Sequence, residues 1–221
     1  MTATAEGLTW RKYVKALLTP DGPRAPLAVV LVGSYATGGP IGPLSDLDVL
    51  VLEGDVPSRP PASVQVIPVS IVELRERVSR GDDFAQWALR FGRPLRGRSI
   101  WSELRDEILP SAPWPSSARK LEQASRRLRA AADLLEMGDV DAAQDEARYG
   151  LSHVARGLLL SREVFPRSRP ELAAQLRAAG LDEVARALEA VYTVDPIDEV
   201  RLRDVIALGE RWIAGSGSRR S

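Results

Sequence analysis

The sequence predicts an α+β chain, with a small mixed sheet and helices in its N-terminal half and an all-α antiparallel bundle after it. Three observations lead there. Short apolar runs rich in Val and Leu occur at 27–32, 47–52 and 64–69 and nowhere later. A Pro/Ser-rich stretch at 110–117, PSAPWPSS, has the composition of a domain junction. Beyond it, apolar residues recur only at helical spacing. The expected division is a first domain over 1–112, a helical domain over 113–214 and a disordered tail, GSGSRRS, over 215–221. A chain of 221 residues is long enough to bury two cores.

Each element has its own signal. Trp10, Tyr13, Val14, Leu17 and Leu18 share one helical face suited to docking on a sheet, and Pro20-Asp21-Gly22-Pro23 ends that helix. Leu27 to Val32 is almost wholly apolar, as a strand covered on both faces must be, and it ends at Gly33. A Gly/Pro-rich loop over 38–43 leads to a second apolar strand, Leu47 to Leu52. Val64 to Val69 reads as a third strand whose Pro68 places it at an edge or a bulge. Ile71 to Arg90 is helical with a break near Gly81, and Arg93 to Gly97 closes the sheet with a short strand. Four helical segments follow, about 117–137, 140–165, 170–192 and 196–214, with turns signalled by Gly138-Asp139, Pro166, Gly180-Leu181 and Asp195-Pro196. The spacing of Leu121, Leu128, Leu134 and Leu135, and of Leu151, Val154, Leu158 and Leu159, fits antiparallel packing.

Composition narrows the chemistry. Acidic and basic residues balance at 30 each, so no global field draws nucleic acid or an anionic membrane, and nucleic acid is left open only through local clusters such as Arg126, Arg127 and Arg129. There is no cysteine, which removes disulfides, thiolate metal sites and thiol catalysis and accords with a cytoplasmic setting. No apolar run approaches the length of a membrane span. His153 is the single histidine, so multi-imidazole metal sites are excluded.

The segment VVLVGSYATGGPIGPLSDLDVLVL carries the chemistry. Gly33 allows a sharp turn and a close backbone approach to a phosphate, and Ser34 adds a hydroxyl at the start of a helical turn. Asp46 and Asp48 are two apart on a strand, so their carboxylates share a face while Leu47, Val49 and Val51 take the other. Paired carboxylates repel unless a cation lies between them, which makes the pair a natural Mg²⁺ or Mn²⁺ site.

This segment resembles the nucleotidyltransferase signature of the DNA polymerase β superfamily, and in particular the minimal and kanamycin-type nucleotidyltransferases. The resemblance covers about residues 27 to 97. It implies a polymerase-β-like N-terminal domain in which Gly33, Ser34 and Ser45 hold a nucleoside triphosphate, ATP first among them, and Asp46 and Asp48 bind the catalytic metal. It also implies Mg²⁺-dependent transfer of a nucleoside monophosphate to a hydroxyl of a protein side chain or of a small molecule such as an aminoglycoside, in a homodimer. Two positions depart from the pattern. Thr37 stands where an arginine is frequent, and Gln65 stands where a third carboxylate is expected on the next strand; an amide cannot accept the acceptor's proton. Glu53, Asp55 and Glu73 are the carboxylates that could replace it, and without one the domain would be a degenerate nucleotide-binding or antitoxin-like module.

The helical half resembles HEPN domains, which are often joined to minimal nucleotidyltransferases. Active HEPN ribonucleases pair an arginine and a histidine separated by four to six residues, and Arg148 and His153 have four residues between them. That resemblance implies an alternative in which His153 moves a proton and Arg148 stabilises phosphate charge. Trp87, Trp101 and Trp114, near the junction, are expected either to stack on a base or to anchor one domain against the other.

Overall fold

The computed structural model describes residues 5–19, 22, 24–38, 46–57, 59–193 and 197–217. The chain divides into two compact units, Met1–Pro115 and Ser116–Ser221. The junction thus lies three residues later than the sequence suggested, because 113–115 belong to the first unit. The Gln86 amide, fully buried, donates to the Pro113 carbonyl at 2.7 Å.

The elements of the first unit are α1 (Ala5–Leu18), β1 (Ala28–Val32), α2 (Ser34–Thr37), β2 (Leu47–Leu52), β3 (Val64–Val69), α3 (Ile71–Ser79), α4 (Asp83–Phe91), β4 (Arg93–Arg96) and α5 (Arg98–Ile108). The strands form one mixed sheet in the order β3-β2-β1-β4. β1 runs antiparallel to β2 and to β4, and β2 runs parallel to β3. β3 is an edge strand, which is where a ladder tolerates Pro68.

Alternation along the strands separates two faces. Val29 and Leu31 of β1 with Leu47, Val49 and Val51 of β2 pack against Tyr13, Val14 and Leu17 of α1, with Trp10 beside them. The Tyr13 hydroxyl donates to the Pro57 carbonyl at 2.8 Å, and burial raises its pKa. The even-numbered residues Asp48, Leu50 and Leu52 therefore lie on the other face, where Val30 touches the backbone at Gly92 as α4 passes into β4. Trp87 and Trp101 are buried in this unit, whereas Trp114 is exposed.

The helical break falls at Gly81, which has φ of 72°. Ser70 and Asp82 cap the helices on either side, accepting from the backbone N–H of Glu73 and Ala85. The sequence reading left 98–108 without an element, yet α5 is there. Its signal was Trp101, Leu104 and Ile108, which share one buried face.

The second unit consists of α6 (Ser117–Glu136), α7 (Val140–Leu160), α8 (Leu172–Ala178), α9 (Asp182–Thr193) and α10 (Glu199–Gly217), with short 3-10 turns. The α+β class and the mixed sheet followed by helices are as the sequence indicated. The 170–192 segment turns at Gly180, φ 71°, where the Gly180-Leu181 signal falls, so it forms α8 and α9. Some bounds differ. α7 stops at Leu160, and Glu163 beyond it enters the left-handed region at φ 59°. The tail assigned to disorder from 215 is helical as far as Gly217, with the Ser216 hydroxyl donating to the Trp212 carbonyl at 2.6 Å. Close packing in the bundle depends on small residues: Gly150 and Gly209 face Leu128, and Gly157 faces Leu121.

Gly97 shows how tightly the first unit is closed. It has φ of 68°, and a Cβ there would lie 1.9 Å from the Leu27 carbonyl oxygen. Gly97→Ala must move backbone, so we expect a loss of about 2–4 kcal/mol in urea unfolding. An unchanged midpoint would show that this corner is not constrained as described.

Candidate functional site

The site begins where β1 ends. Val32 pairs with Asp48 across the antiparallel ladder, and the next residue, Gly33, turns the chain with φ 68° and ψ −155°, a region open essentially only to glycine. A Cβ on Gly33 would meet the Asp48 carboxylate oxygen Oδ2 at 2.5 Å. The backbone of the turn and this carboxylate are therefore in direct contact, and glycine is required both for the dihedral and for the space.

After the turn, α2 is a single helical turn. Ala36 N–H bonds the Gly33 carbonyl at 3.1 Å, the Thr37 hydroxyl donates to the Ser34 carbonyl at 3.4 Å, and Gly38 closes it in the left-handed region. One turn carries little macrodipole, so an anion here would be met by local N–H groups and the Ser34 hydroxyl rather than by a long helix's field. Ser34 is half-buried, and Tyr35 and Ala36 pack on the α1 side of the sheet.

Asp48 is half-buried on β2, and Asp46 is exposed one residue before that strand. Ladder pairing begins at Leu47, whose N–H bonds the Ser63 carbonyl at 2.9 Å. Leu47 faces α1, so the two-residue period directs Asp46 and Asp48 to the opposite side. Ser45, also expected in the site, lies outside the described residues, as does the loop 39–44.

The parallel ladder sets Gln65 directly beside Asp48. Direct partners share a face, so the exposed Gln65 amide stands at the position where a further carboxylate would join the pair. The three carboxylates that could have replaced it stand elsewhere. Glu53 follows the far end of β2, about 16 Å along an extended strand from Asp48, and its carboxylate accepts from Ile71 N–H at 2.8 Å. Asp55 faces Arg24 at 3.8 Å, and Glu73 faces Arg77 at 3.8 Å. Among the described residues no group of three or more His, Asp or Glu side chains forms a metal cluster. The donors at this corner are two carboxylates and one amide oxygen.

In the helical unit, Arg148 and His153 occupy different faces of α7. The Arg148 guanidinium donates to the Val191 carbonyl of α9 at 2.7 Å and to Asp145 at 2.9 Å. His153 lines a groove shared with α6, together with Glu146. Five residues along a helix amount to about 140° of rotation, which is why the two side chains diverge. Of the basic residues on α6, Arg126 pairs with Glu122, Arg127 with Glu146, and Arg129 bonds the Ser125 carbonyl.

No protein-family model matches the chain, and no curated protein sequence matches it. Among solved structures it is similar to a nucleotidyltransferase-like protein from Exiguobacterium sibiricum 255-15, with 16% identity, coverage of 95% of this chain and 74% of that one, and a TM-score of 0.46. Among the described residues no helix is long and apolar enough to cross a membrane.

The Gly33–Asp48 contact yields a double-mutant test. Gly33→Ala should cost about 1–3 kcal/mol through strain at positive φ and collision with the carboxylate. In an Asp48→Ala background the steric part is relieved, so the two costs should be non-additive by about 1 kcal/mol in urea unfolding. Strict additivity would mean the two residues do not touch.

Proposed function

We propose that the corner formed by Gly33, Ser34, Asp46 and Asp48 binds a magnesium nucleoside triphosphate, ATP first among candidates, and transfers its nucleoside monophosphate slowly to a hydroxyl acceptor, the new P–O bond forming as the α–β phosphoanhydride breaks and pyrophosphate leaves. The observation that carries this reading is the contact between a glycine-only turn and a strand carboxylate, with a second acid two residues away. Glycine lets the turn close against the Asp48 carboxylate, and the Ser34 hydroxyl and neighbouring N–H groups would donate to phosphate oxygens.

The donor set suits Mg²⁺, which is commonly held through one or two carboxylates with phosphates and water completing its shell. Asp46 and Asp48 would hold it, and when bound it would offset triphosphate charge and acidify an attacking hydroxyl. Gln65 would contribute an amide oxygen alone. It cannot remove the acceptor's proton, and it adds no charge to hold a second ion. Slow transfer follows from that substitution, and nucleotide binding without turnover is the second reading that the Asp48–Gln65 pairing favours.

The acceptor is a protein side chain or a small molecule such as an aminoglycoside, and a homodimer is the expected assembly. The resemblance stated for residues 27 to 97 supports both, as it does the choice of ATP.

Two assays separate these readings. Calorimetry with ATP and Mg²⁺ should show one site, weakened at least about tenfold in Asp46→Asn and Asp48→Asn, because each removes a charged ligand. With α-labelled ATP, label transfer should be slow in the natural chain and rise at least about tenfold in Gln65→Glu, which restores a base beside Asp48. Binding without transfer in both proteins would leave only the nucleotide-binding module. Absence of ATP binding would remove both readings.

A further inference from the structure

With a magnesium triphosphate held at the corner, the reading on which this inference rests, Gln65 decides which acceptor is used best. The parallel ladder sets it beside Asp48, exposed on the edge strand β3. Among the described residues its amide has no hydrogen-bond partner, so its N–H groups and its oxygen are open to a ligand. The carboxylates that could act in its place are engaged elsewhere. Glu53 accepts from Ile71 N–H at 2.8 Å, Asp55 faces Arg24 and Glu73 faces Arg77, each at 3.8 Å.

Two consequences follow for the nucleophile. An alcohol must lose a proton as it attacks phosphorus, and an amide beside Asp48 cannot take it. A phosphate monoester has no such need, because its second proton leaves near pH 6 and its oxygens are already ionised at neutrality. The amide also reverses the electrostatic preference of this position. A carboxylate there would repel an incoming anion, whereas an uncharged amide donates its N–H groups to one.

We propose that the acceptor this corner uses best is a phosphate monoester, carried by a protein side chain or by a small molecule. One of its ionised oxygens attacks the α-phosphorus of the bound triphosphate. A P–O–P link forms as the α–β anhydride breaks, and pyrophosphate leaves with the electron pair of the broken bond. No proton is transferred. Gln65 donates to a non-attacking oxygen of the acceptor, and a hydroxyl is the slow alternative at the same site.

Paired acceptors test this: glycerophosphate with glycerol, phosphoserine with serine and phosphocholine with choline, each given to the full-length protein with α-labelled ATP and Mg²⁺. Label should pass to the phosphates at least about tenfold faster than to the parent alcohols, and the product should show coupled phosphorus signals from its P–O–P link. The rate with phosphates should level off above about pH 7, once the second proton is lost, whereas the rate with alcohols keeps rising. Gln65→Glu should cross the preference, slowing the phosphates about tenfold by repulsion while speeding the alcohols. Gln65 is exposed at a sheet edge, so the substitution leaves folding intact. Faster transfer to the alcohols, a change of the same sign for both classes in Gln65→Glu, or ATP binding with no transfer to any phosphate would overturn the proposal and leave the nucleotide site standing. Absence of ATP binding in calorimetry would instead remove the site itself.

Discussion

Glycine at position 33 is the constraint on which the site depends. Its dihedrals are closed to other residues, and the space a side chain would need is taken by the Asp48 carboxylate. The contact fixes three things together. It stops β1, it turns the chain into the single helical turn of Ser34–Thr37, and it brings backbone up to a carboxylate on the neighbouring strand. Register supplies the rest, because the Val32–Asp48 pairing sets the next residue, Gly33, beside that carboxylate.

The sheet makes that corner possible by keeping its two faces distinct. Leu47, Val49 and Val51 are buried beneath α1, which turns Asp48 to the opposite side and directs Asp46 after it. Burying the odd-numbered set stabilises the strand by about 1.5–3 kcal/mol per side chain, and a slip of one residue would turn the aspartates into the core beneath α1. Hydrophobic burial thus orients the acidic pair. The same register places Gln65 beside Asp48, so one ladder both builds the corner and withholds a third charge from it.

Much of this was legible in the sequence, for identifiable reasons. Val-rich runs bounded by Gly and Pro gave the three longer strands nearly to the residue, and Pro68 marked the edge. Gly33-Ser34 and the Asp-x-Asp spacing singled out the corner. The rest rests on weaker or non-local signals. The spacing of Trp101, Leu104 and Ile108 was present in the sequence and marks α5. The separation of Arg148 from His153 follows from helical rotation, but the Val191 carbonyl that Arg148 bonds, on a helix over forty residues away, is visible only in three dimensions. The distance of Glu53 from the corner likewise depends on which end of β2 carries Asp48. The pairing of Asp48 with Gln65 depends on β3 running parallel, a choice that neither strand's own pattern encodes.

The most direct test is anomalous diffraction from crystals grown with Mn²⁺ and a non-hydrolysable ATP analogue. The account expects one manganese peak between the carboxylates of Asp46 and Asp48, with a phosphate group against the Gly33–Ser34 backbone. A metal held elsewhere, or a nucleotide bound away from that turn, would contradict it.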